Sequence, residues 1–106
     1  MNILSSVSWE PSLSLASYAT TKAAAWSYTN SIRQLLAHSG VNVQGLHVGF
    51  IDTDLTRSLD IPKLPAQTVA ENVFDGLERN AFEVLVGETT VALKNGLTAD
   101  IPSYIK

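Results

Sequence analysis

The order of apolar segments constrains this chain more than any other feature. Three stretches of strand character alternate with three of helical character. "NILSSV" at 2–7 reads as a strand running into serines, and 8–15, with Pro11, as a loop. From Ser17 to about His38 the chain is rich in strong helix formers, among them Ala23, Ala24, Ala25, Leu35, Leu36 and Ala37. Tyr18, Tyr28, Ile32 and Leu35 supply much of an apolar face, and Gly40 is a C-terminal stop. "VNVQGLHV" at 41–48 is a second strand whose partial alternation suits a sheet covered on both faces. Residues 49–63 are polar and irregular. A second helix is predicted over 66–80, with Val69, Val73, Phe74 and Leu77 on one face. "FEVLVG" at 82–87 is the third strand, followed by a weaker helix over 89–97 and a coil tail. A helix in every strand-to-strand connection is the mark of a parallel sheet. The expected fold is therefore α/β: three parallel strands with crossover helices, β-α-β-α-β-α, in one domain spanning 1–106.

Composition narrows the class. An apolar fraction of 45% supports a packed core, and 106 residues suit one small domain. The net charge is -3, and the seven basic residues are scattered, so there is no nucleic-acid footprint. Without cysteine there is neither a disulfide framework nor a thiolate metal site. No apolar run approaches a membrane span, and the N-terminus lacks a signal-peptide pattern, so a cytoplasmic location is expected. A buried strand that begins at residue 2, with no polar lead-in, gives the chain the look of a truncated domain.

The chemistry-bearing feature is "SYATTKAAAW" at 17–26. Positions i and i+4 of a helix lie one turn apart on one face, so Tyr18 and Lys22 can present a phenol and an ammonium to the same space. A free phenol is a poor acid or base at neutral pH. A lysine charge a turn away, at an effective dielectric of about 20, is worth at most roughly 3–4 kcal/mol and makes the phenol easier to ionise. Such a phenol can give a proton to a carbonyl oxygen or take one from an alcohol. Ser5 and Ser6 end the strand that feeds this helix, where open α/β sheets place their ligands, and a serine hydroxyl there could orient that oxygen. A tyrosine and a lysine four apart are also a common accident, so the pair alone identifies nothing.

The surrounding pattern does more. "NILSS", then "YATTK" thirteen residues after Ser5, then "SIRQLLAHSGVNVQGLHVGFIDTDLT", resembles the short-chain dehydrogenase/reductase family over most of the chain, roughly 2–87. The resemblance implies a partial Rossmann-like fold and NAD(P)-dependent hydride exchange at a carbonyl or alcohol. It implies Tyr18 as proton donor or acceptor, and Lys22 as the group that lowers the phenol's pKa and holds the nicotinamide ribose. Ser5 would steady the substrate oxygen, with Ser6 the near alternative. Gly49, Ile51 and Thr53 would lie against the nicotinamide, and residues 55–63 would form a substrate loop. Val48 stands where the family usually has a proline before the glycine, which makes that turn less rigid.

One half of the family pattern has no counterpart. The glycines at 40, 45, 49, 76, 87 and 96 are too dispersed for the Gly-rich turn that receives a pyrophosphate. The resemblance is to the C-terminal half of the fold, with the N-terminal half of the doubly wound sheet missing. Independent activity and NAD(P) binding by this chain alone are therefore not expected. An exposed first strand and a helix lacking a neighbour predict self-association, and a non-catalytic association or subunit-pairing module is the alternative reading. His38 and His47 stand alone in the sequence, Asp52 and Asp54 read as solvated turn carboxylates, and Trp9 and Trp26 read as packing residues. Trp9 could line a substrate pocket in a complete fold. No metal site is expected.

Overall fold

The computed structural model describes residues 1–105. Its main sheet is short and wholly parallel. Strand β1 (Asn2–Ile3) pairs with β2 (Gly45–Val48), and β2 pairs with β5 (Glu83–Val86), in the order β1-β2-β5. The connection from β1 to β2 contains α1 (Ala16–Leu35), and the one from β2 to β5 contains α2 (Ala66–Glu78). After β5 the chain enters α3 (Glu88–Gly96). The alternation expected from the sequence is present, with two differences.

The first strand is two residues long rather than six. Past Leu4 the chain turns into a 3-10 segment, Ser6–Ser8, because the Ser5 hydroxyl accepts a hydrogen bond from the Val7 amide at 3.3 Å and so offers the backbone an alternative to the ladder. The second difference lies in the region read as irregular. Strands β3 (Ile51–Asp52) and β4 (Leu64–Pro65) form a separate parallel pair, with Ile51 opposite Leu64 and Asp52 opposite Pro65. The Leu64 amide donates to the Phe50 carbonyl at 2.9 Å, which closes the base of the intervening loop. Pro65 then serves as the N-cap of α2, where its missing N–H costs nothing.

The core lies between β2, β5 and α2. Leu46, Val48, Val84 and Val86 point from the sheet onto Val69 and Val73. This is period 2 meeting period 3.6: alternate strand residues against residues four apart on a helix. Gly76 sets how close α2 can come. A Cβ there would overlap Val84 Cγ2 and lie 2.9 Å from Gln44 Nε2.

The other face of the sheet carries Gly45 and His47 toward α1. Thr29, fully buried, donates to the Ala25 carbonyl at 2.7 Å and accepts from Asn2 Nδ2 at 3.0 Å, so it ties α1 to β1. Arg33 ties α1 to the start of the sheet by donating to the carbonyls of Val43 (3.2 Å) and Phe82 (2.9 Å). Helix α1 closes through turns to Gly40, whose φ of +78° favours glycine. Among the described residues, no helix is long and apolar enough to cross a membrane.

Candidate active site

The carboxyl ends of β1 and β2 and the start of α1 converge at one end of the sheet. Tyr18, in the first turn of α1, is 46% exposed. Lys22 follows one turn later and shares its face: the ammonium stands 5.6 Å from the centroid of the Tyr18 ring, a cation–π distance. The same ammonium donates to the main-chain carbonyl of Ile3 at 3.0 Å. Lys22 therefore bridges the Tyr18 ring and the last residue of β1. Its own carbonyl accepts from Ser8 Oγ at 3.2 Å, so Lys22 ties α1 to β1 through its side chain and to the 3-10 turn through its backbone.

Ser5 is 7% exposed and uses its oxygen to cap the turn that follows it. Ser6 is less buried, and its Oγ lies 4.0 Å from the position a Cβ would take on Gly49. Ser6 thus stands against the segment that leaves β2, while Ser5 lies two residues beyond the Ile3 carbonyl that Lys22 holds. That segment is ordered by the β3–β4 pair. In a parallel ladder, successive residues turn their amides to opposite sides. Phe50 gives its carbonyl to Leu64, so the register turns the Ile51 amide away from β4. Thr53 is exposed, and its amide donates to Thr56 Oγ1 at 3.2 Å; Thr56 Oγ1 in turn donates to the Ile51 carbonyl at 2.6 Å. Asp52 and Asp54 are exposed, and Asp54 pairs with Arg57. Among the described residues, no group of three or more His, Asp or Glu is placed to hold a metal ion.

Beneath this end sits a cluster that sequence reasoning missed. His47 is not alone: it is fully buried, its ring stacks on Trp9 at 3.9 Å between centroids, and its Nε2 lies 3.5 Å from Glu83 Oε1. At that length the contact is long for a hydrogen bond. Glu83 also accepts from Trp26 Nε1 at 2.9 Å and pairs with Lys94 of α3. Lys94 Nζ in turn stands 5.1 Å over the Trp9 ring. His47 beside it, then Lys94 and Trp26, hold the Glu83 carboxyl well below the usual carboxylate range, against the opposing effect of burial. The available signal was period 2: Glu83 and His47 fall on the same sheet face, opposite in polarity to the valines beside them. Trp9, expected as packing, follows the Ser6–Ser8 turn directly. It also helps to line an open groove of about 680 Å³ with Leu13, Ala16, Ala19 and Tyr104.

Comparison with known proteins identifies the family. The family model for short chain dehydrogenases matches residues 1–63. An uncharacterized oxidoreductase of Staphylococcus epidermidis is 35% identical over 94 residues, which is 86% of this chain and 40% of that protein. An uncharacterized oxidoreductase of Staphylococcus aureus strain MW2 matches with the same identity and coverage. A short chain dehydrogenase from Burkholderia cenocepacia J2315, solved in complex with NADP, superposes with a TM-score of 0.86 at 34% identity, covering 93% of this chain and 43% of that one. The chain spans about two-fifths of the length of these curated relatives. The family match over residues 1–63 takes in β1, β2, Ser5, Tyr18 and Lys22, and the chain belongs to the short-chain dehydrogenase family.

Proposed function

We propose that this chain is the proton-transfer part of an NAD(P)-dependent short-chain oxidoreductase, inactive until the rest of the fold is supplied. The observation that carries the reading is the shared face of Tyr18 and Lys22 at the carboxyl end of a parallel sheet, with Lys22 held on the Ile3 carbonyl two residues before Ser5. The donor set suits the nicotinamide end of the cofactor: a phenol, an ammonium and the outward-turned Ile51 amide, with Gly49 keeping the approach open and Thr53 following β3. No Gly-rich turn offers amides to a pyrophosphate among the described residues. The residues therefore fit one end of the group only.

When bound, a nicotinamide supplies the hydride donor or acceptor. The chain's own residues manage the proton. In reduction the Tyr18 hydroxyl gives its proton to the substrate's carbonyl oxygen, and in oxidation the phenolate takes a proton from the alcohol. Ser5 donates a hydrogen bond to that oxygen, and Lys22 keeps positive charge beside the phenol. Isothermal titration of the isolated chain with NADPH and NADH tests the reading. The expected result is no binding up to millimolar cofactor, and tight binding by the chain alone overturns it.

A second reading rests on α1. Its outward positions Ser17, Thr21, Ala24, Tyr28, Ser31 and Leu35 are all exposed and carry no charge. Tyr28 is 64% and Leu35 81% exposed. An uncharged stripe along a twenty-residue helix suits a helix partner, so the chain acts as a self-association module.

A further inference from the structure

Among the described residues strand β1 ends the sheet, and one contact on its open side stands out. The amides of Asn2 and Leu4 donate inward to the carbonyls of Gln44 (2.8 Å) and Leu46 (2.7 Å). Alternation then turns the N–H and C=O of Ile3 outward, away from β2. Ile3 and the preceding Met1 are more than half exposed there. The Ile3 carbonyl accepts from Lys22 Nζ at 3.0 Å, the distance at which the amide of a neighbouring strand would sit. Lysines are a common means of keeping an unpaired edge from recruiting another strand.

We infer that Lys22 is a latch on this edge: with β1 unpaired its ammonium is held by the Ile3 carbonyl, and seating a parallel strand on β1 displaces it toward Tyr18. The occupant is an extended strand from the portion of a family fold that this chain does not cover. More than half of the Burkholderia cenocepacia dehydrogenase lies outside the match, while the matched part superposes closely and every strand of the main sheet here runs parallel. Edge pairing and release of the lysine are then one event, and the proton-transfer pair is completed only when the sheet is. This rests on the oxidoreductase reading, yet the latch is a separate claim about where one ammonium sits.

The test is co-expression of the full chain with the uncovered portion of the Burkholderia cenocepacia dehydrogenase, followed by co-purification and NMR. In the chain alone, Lys22→Met shifts the Ile3 carbonyl resonance. In the complex that shift disappears, the Ile3 amide exchanges at least tenfold more slowly, and Lys22→Met increases the yield of complex severalfold because the competing contact is gone. Failure to co-purify overturns the proposal, as does a complex in which Lys22→Met still moves the Ile3 carbonyl or Ile3 exchange is unchanged. A complex that shows the released lysine but does not oxidise NADPH with any carbonyl substrate supports the latch and counts against the oxidoreductase reading.

Discussion

The indole of Trp9 lies nearly parallel to the imidazole of His47, 20° apart in plane and 3.9 Å between centroids, with Lys94 over the indole and the Trp26 ring perpendicular to it at 5.9 Å. Trp9 directly follows the turn that Ser5 caps. The stack therefore joins β2, α1 and α3 to the segment that carries the candidate serine. Trp9→Ala should cost about 3–5 kcal/mol, the range for removing a large buried aromatic side chain. Urea unfolding followed by far-UV circular dichroism measures it. A loss below about 1 kcal/mol would show that the stack is not a structural anchor.

Glu83 should shape the acid limb of stability. Its carboxyl is held below the ordinary range, so the folded chain binds that proton less readily than the unfolded chain. The group therefore stabilises the fold at pH above the ordinary carboxylate range. That contribution declines as pH falls through about 4.3 toward the lower folded value. Glu83→Gln should lower stability at pH 7 by about 1–3 kcal/mol and flatten the decline below pH 4.3. Urea midpoints from pH 3 to 7 give both quantities, and parallel curves for the two proteins would exclude the effect.

Gly76 is the contact point of α2 with the sheet. Gly76→Ala places a methyl group where Val84 Cγ2 and Gln44 Nε2 already stand. Despite alanine's better helix propensity, overpacking should destabilise the chain by about 1–3 kcal/mol. A thermal midpoint equal to or above the parent's would mean that α2 shifts outward at little cost.

Tyr18 should matter for chemistry and little for folding. Its ring is close to half exposed. Tyr18→Phe should change stability by no more than about 0.5 kcal/mol. In the co-expressed assembly the same change should reduce NADPH-dependent carbonyl reduction at least a hundredfold, the low end of what a positioned acid contributes. Retained activity would place the proton donor elsewhere.

The outer stripe of α1 should direct self-association. Sedimentation velocity of the isolated chain is expected to show a concentration-dependent dimer, and Tyr28→Glu should return it to monomer by placing a charge in an apolar contact. A monomer at all concentrations in the parent chain would remove the association reading.

The α/β class, the parallel order and the three helices were legible in the residues because periodicity is local. Val69 and Val73 repeat at helix spacing, and "FEVLVG" alternates at strand spacing. The Tyr18–Lys22 face was legible for the same reason, since four residues are one helical turn wherever the helix is docked. The short first strand was not. Ser5 looks like a strand end, and only its hydrogen bond to the Val7 amide shows that the ladder has already stopped at Ile3. Nor was β3–β4, because two-residue strands carry too little pattern to detect and are paired across a loop of unremarkable composition.

Local pattern thus decided which elements form and which side chains share a helix face. Tertiary docking decided what those side chains meet. His47, solitary along the chain, faces Glu83 because parallel register brings β2 and β5 side by side. Lys22, read as a partner for Tyr18 and for a nicotinamide ribose, also reaches the Ile3 carbonyl because, among the described residues, β1 ends the sheet and leaves that acceptor without a neighbouring strand. Both contacts join residues 19 or more positions apart, and at that separation sequence spacing carries no geometry until the sheet has formed.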